Sequence, residues 1–303
     1  MILDKGHGLR YLEDWKDDKI EQGRGLGNQI LDQYLVYKEN QLNFVLALDN
    51  LGKTHWMLWY FLCLSVKYGL VWDICAMENT PNSSMRRLVE MKCGKRLKYM
   101  TNEELYKTHS WVDRHFNFLD HRIMYNYEEL FEIFRESHSD GCFIDPFTAL
   151  SRKYTHEGNY EFLHAAREFV NRHKTIYTSL HTRTEAGQRE YPRGHDLEGY
   201  IKPPHKSHCE GGQSFANRCD DFLVLHRHPS HPHYRYKTEL HIVKVKETET
   251  GGSPTISGEP VVFEFNSGLG FTIGGQDILR KIEQSKTPIE VKNYYEKEND
   301  ELF

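Results

Sequence analysis

The sequence predicts an α/β fold, with a mainly parallel twisted sheet flanked by helices and antiparallel strands at one edge. Two observations carry that prediction. First, short apolar runs alternate with amphipathic stretches: strand Phe44–Leu48, helix Thr54–Tyr68, strand Val71–Met77 and helix Ser83–Cys93. The pattern continues through helix Tyr127–Ser137, strand Cys142–Asp145, helix Tyr160–Arg172 and strand Thr175–Leu180. Strands joined by helical crossovers run parallel, because a short turn cannot return the chain to the same end of the sheet. Second, the strands Phe222–His226, Glu239–Val245 and Val261–Phe265 follow one another without intervening helices, which is how antiparallel strands are joined.

The remaining segments frame this core. Residues 1–27 are polar and irregular, with charges from Asp14 to Lys19 and the stretch Gly23-Arg-Gly-Leu-Gly27, and read as an extension. Asn28–Lys38 places Ile30, Leu31, Tyr34 and Leu35 on one face of a short helix. Thr101-Asn-Glu-Glu104 is a capping-box helix start. Residues 182–213 have Gly and Pro without periodicity, and a stretch that long inside a compact domain is a functional loop. From Gln284 onward the chain is charged and is expected to fray. The expected organisation is an extension and linker helix over 1–38, one domain over 39–275 and a charged tail over 276–303.

Composition narrows the class. The chain has 303 residues, enough for a sizeable core, and 27% of them are charged, which argues against disorder. No apolar run approaches ~20 residues, and Met1-Ile-Leu-Asp-Lys is no signal peptide, so no membrane association is expected. Six cysteines (63, 75, 93, 142, 209 and 219) lack C-x-x-C spacing and read as reduced buried thiols of a cytoplasmic protein. The formal net charge of −5 does not advertise a polyanion partner, so nucleic-acid binding has to come from local basic loops or from several subunits together.

Several residues are placed for chemistry. Asn43-Phe-Val-Leu-Ala-Leu-Asp-Asn-Leu-Gly-Lys-Thr54 is an apolar strand running into Gly52-Lys53-Thr54 and then a helix. A phosphate loop has that order: turn amides from Asp49, Asn50, Leu51, Gly52 and His55 curl around phosphates, and Lys53 reaches the terminal ones. The Thr54 hydroxyl would hold Mg²⁺. Glu78 follows strand Val71–Met77; it either polarises an attacking water or caps the helix beginning near Asn82. Asp145 ends its strand as a second Mg²⁺-holding group or as a turn aspartate before Pro146. His181, at a strand end, either touches the terminal phosphate or simply meets solvent. Lys244 and Lys246 share one strand face, as a solvated edge or as cations reaching a neighbouring subunit's phosphates. The histidine-rich stretches His205–Cys209 and His226–His233 fit no standard zinc spacing.

Taken in order, these pieces resemble the RecA-like motor domain of DnaB-family replicative helicases, including phage and Twinkle-type relatives, over roughly residues 25–270. Leu48-Asp-Asn-Leu-Gly-Lys-Thr54 resembles that family's phosphate loop, with Ala47 in place of its first glycine. Ile74-Cys-Ala-Met-Glu-Asn-Thr-Pro81 is similar to the strand ending in the catalytic glutamate, and Phe143-Ile-Asp145 to the metal-aspartate strand. Tyr177-Thr-Ser-Leu-His-Thr-Arg183 resembles the sensor strand, and Glu210–Leu225 the turn, helix and strand after it. Ile242-Val-Lys-Val-Lys-Glu-Thr-Glu-Thr-Gly251 falls where the family has a lysine, a spacer and an arginine finger; Lys246 stands at the finger position.

The resemblance implies an ATP- and Mg²⁺-dependent helicase ring, a hexamer, from a phage-like replication system, moving on single-stranded DNA with a primase or loader as a further partner. It assigns catalysis to Glu78, Lys53, His181 and Lys246, Mg²⁺ to Thr54 and Asp145, and a share of the neighbour's nucleotide contacts to Lys244. Its DNA loops correspond to Ser151–Asn159, with Arg152 and Lys153, and to Arg183–His208, with Arg189, Arg193, Lys202 and Lys206 besides Arg183 itself. It makes Asn28–Lys38 a linker helix packing on the neighbouring subunit, the alternative being packing on its own domain. No primase segment or full N-terminal helical domain is expected before the motor. A RecA-type recombinase and a nucleotide-gated scaffold of a replication complex are the alternative functions.

Overall fold

The structure, a computed structural model, describes Gly6 and residues 8–285. In chain order it forms α1 (Leu9–Lys16), α2 (Gln29–Asp32), β1 (Leu42–Leu46), α3 (Lys53–Tyr68), β2 (Trp72–Ala76) and α4 (Pro81–Cys93). There follow α5 (Asn102–Asp113), β3 (Phe116–Phe118), α6 (Tyr127–Glu136), β4 (Gly141–Asp145), α7 (His156–Val170) and β5 (Thr175–Leu180). The last third holds α8 (Ser214–Arg218), β6 (Phe222–His226), β7 (Lys237–Lys244), β8 (Val261–Phe265), β9 (Phe271–Ile273), β10 (Gln276–Asp277) and α9 (Ile278–Ser285).

The strands make one ten-stranded sheet in the order β10-β9-β8-β7-β6-β1-β5-β4-β2-β3. The half from β6 to β3 is parallel, and β7 to β10 extend it antiparallel. β1 lies between β5 and β6, in register Phe44 with Thr178 and Phe222, so every residue of β1 is buried. This explains why β1 reads as a continuous apolar run rather than an alternating one.

Two cores cover the two faces. On one, α3 presents buried residues all round, from Trp56 to Val66, and Phe61 stacks on Trp72 with ring centroids 4.0 Å apart. On the other, α6 and α7 pack Phe131, Phe162 and Phe169 over β1, β4 and β5. Gly52 opens α3 with φ +84° and Gly69 closes it with φ +75°, a backbone region that glycine enters without the Cβ penalty. Thr101 and Glu104 form a capping box at α5, and Asn126 and Glu129 form another at α6.

Several elements differ from the sequence reading. Only Gln29–Asp32 of the segment 28–38 is helical, and Leu31, Leu35 and Tyr37 are buried in this chain's own core. The alternative of packing on its own domain therefore accounts for that segment. α1 is the element with an unburied apolar face, exposing Leu9, Tyr11 and Leu12. β3, β9, β10 and α9 carry no clear sequence signal because they are short or polar. α9 sits within the span expected to be tail, yet buries Ile278, Leu279 and Ile282 beside α3. The rest of that expected tail, residues 286–303, lies outside the described residues. Among the described residues no helix is long and apolar enough to cross a membrane, and none of the cysteines is paired.

At the edge of the sheet opposite the β1–α3 loop, buried Asp73 accepts hydrogen bonds from Ser139 Oγ (2.6 Å), Asn117 Nδ2 (2.9 Å) and Ser137 Oγ. Lys174 Nζ completes the network through Ser139 Oγ at 3.0 Å. Asp73→Ala orphans these donors and is expected to lower the unfolding free energy by about 3 kcal/mol, read by urea denaturation. An unchanged midpoint would mean that water replaces the carboxylate.

Candidate functional site

The carboxyl ends of β1, β2, β4, β5 and β6 meet at one edge of the sheet, where parallel α/β sheets open a ligand crevice. A cleft of 670 Å³ lies there, and the loop Leu48–His55 forms one wall. The loop turns through Asn50 at φ +59° and Gly52 at φ +84°, then passes directly into α3. The free amides at the start of α3 and its helix dipole face the cleft, an arrangement that attracts anions.

Four strand ends bring their side chains to this loop. Lys53 Nζ donates to the Leu180 carbonyl at 3.1 Å, which holds the ammonium over the end of β5. Burial pushes its pKa down, against the pull of Asp145, Glu78 and Asp49. Thr54 Oγ1 donates to Asp145 Oδ2 at 2.5 Å, and Ser179 Oγ donates to the other oxygen of the same carboxylate. Asp145 is therefore no surface turn residue; it is buried at the end of β4 and oriented by two hydroxyls. A hydroxyl and a carboxylate side by side form the hard oxygen donor set that Mg²⁺ prefers, so these residues fit that ion.

Glu78 lies just past β2, half-exposed, with Oε1 3.6 Å from His181 Nε2. The helix-capping alternative for Glu78 does not hold: Thr80 caps α4, its side chain accepting from the Ser83 amide at 3.2 Å. His181, just beyond β5, faces that carboxylate across the cleft rather than standing in open solvent.

Four cleft residues have no signal in the sequence. Arg87 on α4, Arg227 just after β6, and Phe265 and Phe271 of the antiparallel extension all line the cleft. Arg227 lies over the Phe265 ring at 5.6 Å, and a Cβ on Gly52 would be 3.5 Å from its Nη1. A lone arginine after a strand is too common to be singled out, and the two phenylalanines become lining residues only through sheet pairing. His55 packs between those rings, at centroid distances of 5.5 and 5.7 Å, and burial drives its pKa down to about 4, so it is neutral at pH 7.

Other candidates fall elsewhere. Lys244 and Lys246 sit at the opposite end of the sheet, because β7 runs antiparallel to β6 and pairs Lys244 with Phe222. Lys244 Nζ donates to the carbonyls of Ala216 (2.9 Å), Asn217 (3.1 Å) and Cys219 (2.6 Å). All three ammonium protons are used, so Lys244 caps the end of α8 and is not a free cation for a nucleotide, a correction to its sequence reading. Lys246 pairs with Asp220 Oδ1 at 3.2 Å and is otherwise half-exposed.

The basic candidates separate as well. Arg152 packs over Phe147 at 4.1 Å and bonds Asn159 Oδ1 at 2.8 Å, while Lys153 is exposed beside Glu161. Arg183, Arg189 and Arg193 are exposed, and Lys202 and Lys206 are half-buried. The stretch that carries the last five is not structureless. Residues 189–202 fold back as a small hairpin, with bridges Glu190 to Ile201 and Tyr191 to Glu198. Among the described residues, no group of three His, Cys, Asp or Glu side chains could hold a metal ion.

No protein-family model matches the chain, and neither does any curated protein sequence. Solved structures do match. One of them, a free-standing ATPase domain, superposes with a TM-score of 0.71 at 13% identity, covering 89% of this chain and 99% of that one. A DnaB-like replicative helicase, from a structure describing its interactions with primase, gives 0.66 at 14% identity, covering 89% and 68%. The chain has the RecA-like fold of these ATPase domains.

Proposed function

We propose that this chain is an ATP-driven motor domain that assembles as a ring on single-stranded DNA and separates duplex ahead of it. The observation that carries the reading is the convergence of Lys53, the Thr54–Asp145 pair and the Glu78–His181 pair on one cleft. ATP would lie with its phosphates in the loop amides and under Lys53, and its base against Phe265 beside Arg227. Thr54 and Asp145 would hold Mg²⁺, which supplies charge neutralisation at the β- and γ-phosphates. Glu78 orients a water for attack on the γ-phosphorus; the bond to the β–γ bridging oxygen breaks and ADP leaves. His181 lies where it would register the γ-phosphate and pass its loss to the segment that follows.

The opposite position of Lys246 suits a cation offered to the next subunit's site, where its ammonium is a point charge rather than a bidentate fork. The apolar face of α1 is the natural arm for such an assembly. Arg183, Arg189, Arg193, Lys202 and Lys206, repeated around a ring, would follow one strand's phosphates, and Lys153 would add to them.

The test is a forked duplex with ATP and Mg²⁺. Unwinding is the expected outcome; strand exchange would support the recombinase alternative, and neither activity despite tight nucleotide binding would support the scaffold. Single-strand affinity is expected to fall with salt, and replacing Arg189 and Arg193 by alanine should lower the slope of log K against log[salt] by about 1.4. An unchanged slope would place the phosphate contacts elsewhere.

A further inference from the structure

The basic hairpin 189–202 rests on a buried histidine cluster at the exit of β6. His226 and His228 are 1% and 4% exposed, with ring centroids 4.6 Å apart. His226 Nε2 donates to the Ile201 carbonyl at 3.0 Å. His228 lies against the rings of Tyr191 and Tyr200, at 6.1 and 6.0 Å. Arg227, between them, points instead into the nucleotide cleft, so adjoining residues of one extended segment serve the two sites.

We propose that the neutral imidazole of His226 is the positioning residue that seats this hairpin on the sheet, so that its protonation releases the hairpin and the basic side chains it carries. The inference rests on the proposed function only for what the hairpin binds.

The geometry explains the dependence on charge state. With Nε2–H donating to Ile201, the Nδ1 atom of His226 is buried and has no partner. A proton placed there adds a charge and a donor with nothing to accept it, a state that burial penalises. The groups facing it are few. From β7, Glu239 presents its carboxylate, which His241 Nε2 contacts at 3.2 Å and His228 Nε2 at 3.6 Å. Burial raises the Glu239 pKa, but these imidazoles outweigh it and hold it at about 2, so the carboxylate stays charged while the histidines titrate. That charge favours a cation at His228 or His241, and only more weakly at His226. From the hairpin come Tyr191, which stacks on His195 and lies under Lys202, and Tyr200, which packs on His231. Burial, with His228 adding to it, pushes the His226 pKa down to about 4. A lowered imidazole pKa means that the seat contributes fully above the ordinary value near 6.5 and loses its contribution as pH falls from there towards about 4.

Amide hydrogen exchange, corrected for intrinsic rates, reads this directly. The hairpin amides of Tyr191, Gly199, Tyr200 and Lys202 are bonded within the segment, and their protection reports its seating. Between pH 7.5 and pH 5, protection there should fall about tenfold or more while that of β1 stays constant. His226→Gln keeps an amide donor for Ile201 and does not titrate, so it should retain protection and flatten the profile. A pH-independent wild-type profile overturns the proposal, and so does a variant that keeps the wild-type slope. If the variant does not fold, the wild-type profile alone decides. The readout needs no DNA: a flat profile removes the seat alone, whereas absence of DNA binding at pH 7.5 removes the function it was argued to serve.

Discussion

Replacing Glu78 by glutamine is expected to lower ATP turnover by about 10²–10⁴-fold while nucleotide binding persists. The carboxylate stands half-exposed on the far side of the cleft from the phosphate loop, 3.6 Å from His181. Its removal takes nothing from the core and nothing from the cradle made by the loop amides. Only the orientation of the attacking water is lost, and that interaction matters in the transition state rather than in the bound ground state. Rapid-quench hydrolysis alongside equilibrium binding of a fluorescent ATP analogue separates the two. Equal loss of both would mean that Glu78 shapes the pocket instead of acting on water.

Lys53→Ala is expected to act on both quantities. Lys53 Nζ is fixed by the Leu180 carbonyl, and the ammonium sits where a partly enclosed site gives it most effect on phosphate charge. Loss of such a preorganised donor costs roughly 10²–10³-fold in turnover. ATP with Mg²⁺ at a hundredfold excess over its dissociation constant should stabilise the unmutated chain by about 2.7 kcal/mol. Calorimetry should show that shift shrinking in the variant, with the ligand-free melting temperature preserved. ATP hydrolysis that survives Lys53→Ala would contradict the assignment of the whole cleft.

The parts of this architecture that are legible in the sequence share a physical origin. Buried parallel strands such as β1 and β4 are continuous apolar runs, and α3 is apolar on every side, so composition alone betrays them. Gly52-Lys53-Thr54 is legible because the turn needs a residue that accepts φ +84° and the helix needs its amides free. β3 and β9 escape because three residues carry no periodicity, and α9 because its charged face masks three buried aliphatic residues. Arg87 and Arg227 escape for another reason: only the folded sheet shows which arginines face the cleft. The two lysines of β7 show the limit most clearly. Alternation puts Lys244 and Lys246 on one face, but their register against β6 gives one of them to a helix terminus and leaves the other beside Asp220.

The central claim is that the cleft is half of a site completed by a neighbouring copy. Particle imaging of the protein with a non-hydrolysable ATP analogue, Mg²⁺ and a single-stranded oligonucleotide tests it most directly. The account predicts closed rings, with nucleotide at each subunit boundary, Lys53 on one side of the phosphates and the next subunit's Lys246 on the other. Nucleotide-bound monomers, or rings with Lys246 still on Asp220 and remote from every phosphate, would contradict it.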